Sequence, residues 1–276
     1  MSARRVVPAV LAACIWLAAL VLYSSRPPEL PPRAQVREVR VYVLIDNHPY
    51  DGFRSPWGLA LYVVADGVEF LFDAGPSAED LLHNAELLGL DLSRVDFVVA
   101  SHEHWDHVGG LLGLAGRLGS RTVYLPSRAS PRAYELLEEA GYEVVPVGET
   151  TMVAPGVYVV GEMLGPPWEQ AVAIHLKGRG LVVLVGCSHP GVDRIVERAS
   201  RDIGARPYLV LGGFHLSGAP EAEVERVAER LIELGVSRIY PIHCSGELIR
   251  ELLASEHPDE YGGGRVGLVL RLEAEP

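Results

Sequence analysis

Four side chains able to bind a transition metal crowd into one short stretch, His102-x-His104-x-Asp106-His107. Neutral imidazole and carboxylate are the ligands of zinc and related ions. At this spacing they cannot all face one way on a helix or a strand. On a loop leaving the end of a strand they can diverge and converge on two ions. Three further histidines sit in comparable places: Gly186-Cys187-Ser188-His189-Pro190-Gly191, Gly212-Gly213-Phe214-His215-Leu216 and Pro241-Ile242-His243-Cys244-Ser245-Gly246. Each follows an apolar run, and loops at strand ends are where sites gather in layered α/β folds. Together these four placements imply one shared metal site. His48, His83, His175 and His257 lack this setting and read as structural or surface residues.

Other side chains near these motifs have two readings each. Cys187 is a thiolate ligand or a buried neutral thiol, and Cys244 the same. Asp73, ending an apolar run, holds the second nitrogen of a ligand histidine or simply closes a turn. Trp57, Trp105 and Trp168 fall near the site loops, either to stack on a planar ring or to pack at a rim. Three cysteines, Cys14, Cys187 and Cys244, cannot form a disulfide framework. A net charge of −12, from 24 basic and 36 acidic residues, excludes nucleic-acid binding as the main function.

The elements that must position these motifs alternate between period two and period 3.6. Strands are expected at Val39–Ile45, Leu59–Val64, Val68–Phe72, Val95–Ala100, Thr122–Leu125, Val144–Val147, Val157–Val160, Val172–Leu176, Leu181–Val185, Tyr208–Leu211, Arg238–Ile242 and Val266–Leu270. Asp66-Gly67 is a hairpin turn dipeptide. Helices are expected after the N-cap Ser77, in the glycine-rich stretch beyond His107, and at Pro131–Ala140, Asp193–Ile203, Pro220–Leu234 and Glu247–Leu253. Two sheets packed face to face with helices on both outer faces would bury these runs.

Ahead of this body, Val6–Tyr23 carries no charge and follows Arg4 and Arg5. As a helix it would span about 27 Å, close to the thickness of a bilayer's hydrocarbon. Residues 1–23 are therefore expected to be a membrane anchor, with a cleaved signal or a lipoprotein processed at Cys14 as the alternatives. Residues 24–37, with Pro27, Pro28, Pro31 and Pro32, form a semi-rigid linker. Residues 38–276 are expected to form the catalytic domain, soluble and on the extracytoplasmic side of the membrane.

The His-x-His-x-Asp-His spacing and the later strand-end motifs resemble the metallo-β-lactamase-fold superfamily over residues 38–272. Leu71–Gly75, Ser101–Gly110, Gly186–Gly191, Gly212–Leu216 and His243–Gly246 resemble one branch of it. That branch contains the dihydropterin synthase of methanopterin biosynthesis and various metal-dependent hydrolases. The resemblance implies an α/β fold, a four-layer αββα sandwich, holding one or two zinc ions, with manganese or iron as alternatives. It assigns His102, His104 and His189 to one metal and Asp106, His107 and His243 to the other, with His189 and His215 exchangeable. The superfamily's usual bridging aspartate after a glycine is absent; Gly186-Cys187 stands in the comparable stretch. Where the branch often has a histidine, this chain has Trp57 before Gly58.

The function implied is a metal-dependent enzyme acting on an anionic or phosphorylated small molecule, as a hydrolase or a synthase-like transferase. Asp106 and His215 are its candidate catalytic residues, His215 as a proton donor or as a metal ligand. The alternatives are an iron-binding redox protein on the same fold, whose first motif normally has Glu where His104 stands, and a non-catalytic membrane-tethered binding module. No feature indicates an oligomeric state. If Val6–Tyr23 spans a bilayer, the full-length protein will resist carbonate extraction and a version beginning near Val36 will be soluble. Full-length protein found wholly in the soluble fraction would contradict the anchor.

Overall fold

The structure is a computed structural model in which residues 34–275 are described. Its compact unit begins at Gln35 rather than at Glu38, because Val36 is buried and bridges Leu176 of the opposite sheet. The expected anchor, Val6–Tyr23, lies outside the described residues. Among those described, no helix is long and apolar enough to cross a membrane.

Among the described residues, thirteen strands form two sheets. One has seven strands: β1 (Glu38–Ile45), β2 (Ala60–Ala65), β3 (Val68–Phe72), β4 (Phe97–Val99), β5 (Thr122–Pro126), β6 (Glu143–Val147) and β13 (Val269–Glu273), in the order β13-β1-β2-β3-β4-β5-β6. The other has six: β7 (Thr151–Ala154), β8 (Val157–Leu164), β9 (Trp168–Leu176), β10 (Gly180–Val185), β11 (Pro207–Gly213) and β12 (Arg238–Ile242), in the order β12-β11-β10-β9-β8-β7. Alternation in β1 sends Val39, Val41 and Val43 into the core between the sheets, where they meet Val159, Val172 and Leu184. β10, an unbroken Leu/Val run after its glycine, is buried along its whole length, as a strand covered on both faces must be.

Helices α1 (Ala78–Leu87), α2 (Trp105–Val108), α3 (Leu111–Leu114) and α4 (Pro131–Glu139) follow strands of the first sheet, and the α1, α3 and α4 side chains pack on its outer face. Helices α5 (Val192–Ile203), α6 (Glu221–Glu233) and α7 (Glu247–Glu256) cover the second. The result is the expected four-layer αββα sandwich. Ser77 caps α1 as its sequence indicates, its side chain accepting from the Asp80 amide.

The parallel strand pairs position the site. β3, β4, β5 and β6 run parallel in one sheet, and β10, β11 and β12 in the other. Each parallel step requires a crossover, so all carboxyl ends within each parallel set emerge at one edge. Asp73 and the His102–His107 loop leave β3 and β4 there; the His189, His215 and His243 loops leave β10, β11 and β12.

Two expectations shift, and one strand had none. The last strand runs Val269–Glu273 rather than Val266–Leu270, because Gly267 turns the chain at positive φ before pairing with β1 begins. The glycine-rich helix is two one-turn helices, α2 and α3. Between them, a Cβ at Gly110 would lie 2.1 Å from the Ala74 carbonyl oxygen, so only glycine lets the motif loop approach that close. The edge strand β7 had no expectation, since its Thr and Met are exposed and give no apolar alternation.

Gly212, at the end of β11, has φ of 146°, and a Cβ there would stand 1.9 Å from the Val185 carbonyl oxygen. Gly212→Ala is expected to cost about 2 kcal/mol or more of stability, read as a lowered urea midpoint. An unchanged midpoint would contradict this packing.

Candidate metal centre

The His-rich loop is held by backbone bonds to its neighbours. The Ala74 amide donates to the His107 carbonyl at 2.7 Å, the Gly110 amide to Gly75 at 2.8 Å and the Leu59 amide to Asp106 at 3.1 Å. The loop is therefore tied to the ends of β3 and β4 and to the start of β2. Its side chains, with those of the second sheet's loops, gather into two groups whose donor atoms lie within 4.8 Å of one another. One is His102, His104 and His189; the other is Asp106, His107, Cys187 and His243. The structure thus brings together all six residues the sequence assigns to metal, divided as the resemblance divides them. His215 joins neither. It groups with Cys187 and Cys244, and its ring centroid lies 4.5 Å from that of His189.

Each buried imidazole is oriented by a partner on its outer nitrogen. His107 Nδ1 donates to Asp73 Oδ2 at 2.7 Å, and His189 Nδ1 to Glu169 Oε2 at 2.7 Å. His243 Nδ1 donates to Asn47 Oδ1 at 3.0 Å. Ser101 gives its one hydroxyl proton to Asp73 Oδ2 at 2.7 Å, so its oxygen accepts from His102 Nδ1 at 2.9 Å. With Nδ1 protonated on all four, each Nε2 presents a bare lone pair inward. Two results follow. His102 Nε2 and His104 Nδ1 lie 3.0 Å apart. His243 Nε2 is buried without a hydrogen bond, although Asp106 Oδ2 is 3.4 Å away. Converging, unprotonated nitrogens beside a carboxylate are the donor set a divalent transition metal satisfies, so these residues fit such an ion.

The electrostatics agree for His102 and His104. Burial, then the neighbouring imidazoles, hold His102 well below the ordinary histidine pKa of 6.5. Burial, then His189, lowers His104. Both are kept neutral and ready to ligate. Burial opposes ionisation of Asp106, but its contact with His243 and the charges of His107 and His243 prevail and hold it below the usual carboxylate range. Burial would lower His107 too, yet Asp73 outweighs it and raises the pKa.

The backbone is strained here. Five non-glycine residues among those described have positive φ, and four of them, Asp73, Ser188, His215 and His243, line this site. Such conformations persist only where surrounding contacts enforce them. For Ser188 those contacts come from Glu169, whose oxygens accept from the Ser188 and His189 amides.

Asp73 takes the orienting role rather than a turn role alone. Sequence reasoning missed Glu169, Asn47 and Ser101. Glu169 had a signal: a carboxylate near the start of a strand that is buried from Glu169 to Leu176. Trp57 was considered only for stacking, yet its indole nitrogen donates to Asp106 Oδ2 at 3.0 Å. Trp168 instead stacks under the Arg128 guanidinium.

An αββα sandwich with two groups of metal-type donors at its strand ends could hold divalent metal ions. Residues 58–203 match the family model of the metallo-beta-lactamase superfamily, and the chain belongs to that superfamily. It is 25% identical over 292 residues to the 7,8-dihydropterin-6-methyl-4-(beta-D-ribofuranosyl)-aminobenzene-5'-phosphate synthase of Methanocaldococcus jannaschii, over 86% of this chain and 98% of that protein. The crystal structure of Tm1679, a metal-dependent hydrolase of the beta-lactamase superfamily, superposes with a TM-score of 0.73 at 27% identity, over 85% of this chain and 99% of that one. A diphosphatase of the PhnP family shares the fold, with a TM-score of 0.56 at 17% identity over 86% of this chain and 98% of its own.

Asp73→Asn and Glu169→Gln are each expected to weaken zinc binding by about 10–100-fold, measured by chelator competition. Affinity unchanged in both would mean that these carboxylates do not orient ligands.

Proposed function

We propose that this chain is a metal-dependent enzyme acting on an anionic, phosphorylated small molecule, as a hydrolase or as a dihydropterin-synthase-like transferase. The observation that carries the reading is the convergence of imidazole nitrogens, one of them buried and without a hydrogen bond, beside the Asp106 carboxylate. Bound divalent cations would supply Lewis-acid stabilisation of the charge that develops on a departing oxygen.

The chain's own residues do the rest. His102, His104 and His189 hold one ion, and Asp106, His107 and His243 the other, with zinc favoured and manganese or iron as alternatives. Trp57 fixes the Asp106 carboxylate through its indole N–H and exposes its ring beside His243, with centroids 5.0 Å apart. That face suits a planar group of the substrate. His215 is exposed next to His189, and its contact with Cys244, opposed by burial, raises its pKa above 6.5. The raised pKa favours the protonated form, which suits His215 as the donor to the leaving group.

The transferase form of the reading is supported by likeness to the Methanocaldococcus jannaschii synthase, the hydrolase form by Tm1679. The chemistry at the leaving oxygen is shared; the attacking group, water or a second substrate, distinguishes them. We also propose a single-pass anchor at residues 1–23 that holds residues 38–276 outside the membrane.

Metal analysis of the purified protein, followed by turnover of phosphodiesters, phosphomonoesters and a dihydropterin diphosphate with an aminobenzene acceptor, tests the reading. Replacing His102 and His104 together with Ala is expected to remove one metal equivalent and leave a folded domain. Less than half an equivalent in folded wild-type protein would refute the metal-enzyme reading. His215→Ala is expected to lower kcat by about 10²–10⁴-fold at full metal occupancy. Loss of a metal equivalent instead would make His215 a ligand.

A further inference from the structure

Trp168 opens β9 with its side chain on the strand's inner face, which it shares with Gln170, Val172, Ile174 and Leu176. The last three lie in the core between the sheets. The Gln170 side chain donates to the Ala100 and Tyr124 carbonyls, and its backbone amide donates to the Ser101 carbonyl. Trp168 is the next residue outward on that face, level with the loops that leave β4 and β5. Arg128 comes from the β5 loop and lays its guanidinium over the indole, 4.4 Å from the ring centroid.

Two contacts tie this pair to the edge of the metal centre. The Ser130 amide, two residues beyond Arg128, donates to the carboxylate of Glu103, which stands between His102 and His104 in the chain. The turn between β8 and β9 packs on the His189 loop, where a Cβ at Gly165 would lie 2.4 Å from His189 Cβ. Arg128 and Trp168 therefore flank the three-histidine group on its β8–β9 side, opposite β12 and His243.

Arg128 is anchored without being used up. Its backbone amide donates to Glu162 Oε2 at 2.9 Å, and the Ser127 hydroxyl donates to Glu162 Oε1 at 2.9 Å. Arg128 Nε stands 3.5 Å from Glu162 Oε1, too far for a strong hydrogen bond. Among the described residues no acceptor meets its two terminal nitrogens, and 63% of the side chain is exposed. Arg132, on the following helix, differs in pointing at Glu135 and Glu139. A guanidinium stacked on an aromatic ring has its plane fixed and its donor fork free, which suits bidentate recognition of a phosphate.

We infer that Arg128, held by Trp168, is a specificity-determining residue that binds a second phosphoryl group of the substrate, remote from the one at the metals. This rests on the metal-enzyme reading above. It narrows the substrate class to small molecules with two phosphoryl groups separated by a spacer, one meeting the metals and the other only held. In a protein of net charge −12 such a substrate gains no general attraction, so a single placed cation supplies the selection.

Calorimetric binding of alkane bisphosphonates, from propane to octane, to the zinc-loaded full-length protein tests this, with alkylphosphonates of the same lengths as references. Both ligand types carry a group for the metals, and only the bisphosphonates carry a second for Arg128. The best-fitting bisphosphonate is expected to bind about 10-fold more tightly than its reference, the effect of a hydrogen bond between charged groups. Arg128→Ala is expected to remove that advantage while leaving alkylphosphonate affinity and zinc content unchanged, and Arg128→Lys to restore part of it. Zinc uptake with no advantage at any length, or an advantage that survives Arg128→Ala, overturns the inference alone. Equal weakening of both ligand types in Arg128→Ala would make Arg128 merely the counter-ion of Glu162 and overturns it too. No zinc uptake by folded protein overturns it together with the metal-enzyme reading. Should Arg128→Ala fail to fold, Arg128→Ala combined with Glu162→Gln removes the buried charge along with its partner, and the same outcomes decide.

Discussion

The site depends on where four imidazole protons sit, and Asp73 is the residue that decides two of them. Fully buried at the end of β3, it accepts from the Ser101 amide through Oδ1 and from the Ser101 hydroxyl and His107 Nδ1 through Oδ2. Ser101, having spent its proton, must accept from His102. One carboxylate thereby fixes the tautomer of two histidines and the backbone at the root of their loop. Without it, His102 and His107 could turn a protonated nitrogen inward, where a cation would be repelled. Burial raises the Asp73 pKa, opposed by the His107 charge and the hydrogen bonds from His107 and Ser101.

Glu169 repeats the arrangement from the opposite sheet. It lies on β9, yet its two oxygens gather the Cys187, Ser188 and His189 amides and the His189 ring. The two sheets thus each contribute a buried carboxylate that aims ligands into a common space. Each is an uncompensated cost unless every lone pair is used, which explains why the contacts around them are so fully made. The strained Ser188 is held by Glu169, and the strained His243 by Asp46, which accepts from its amide at 2.7 Å.

This arrangement also reconciles an acidic protein with an anionic substrate. A net charge of −12 repels anions at a distance, though salt screens that field beyond roughly 10 Å. The local donor set is mostly neutral imidazole, so bound divalent ions would leave the site positive. Trp57 adds an apolar face without another charge. Recognition would then be local, by metal charge and ring stacking, rather than by long-range steering.

The sequence alone determined the layer architecture and the metal-binding motif, because both are written in local patterns. Period-two and period-3.6 runs mark most strands and helices, and a His-x-His-x-Asp-His loop after an apolar strand allows few other readings. It determined less about β7, whose exposed residues need no pattern, and about β13, whose register is set by pairing with β1 after the Gly267 turn. Which histidines share a position was open in the chain's own residues, since His189 and His215 sit in nearly identical strand-end settings. Only the tertiary structure separated them, by placing Glu169 beside one and Cys244 beside the other. The same holds for Asn47 on His243, Trp57 on Asp106 and Cys187 on His107. Those pairs join residues from separate loops or strands, some nearly two hundred positions apart. No local periodicity encodes such a meeting; it arises when parallel crossovers bring the strand ends to one edge and packing holds them there.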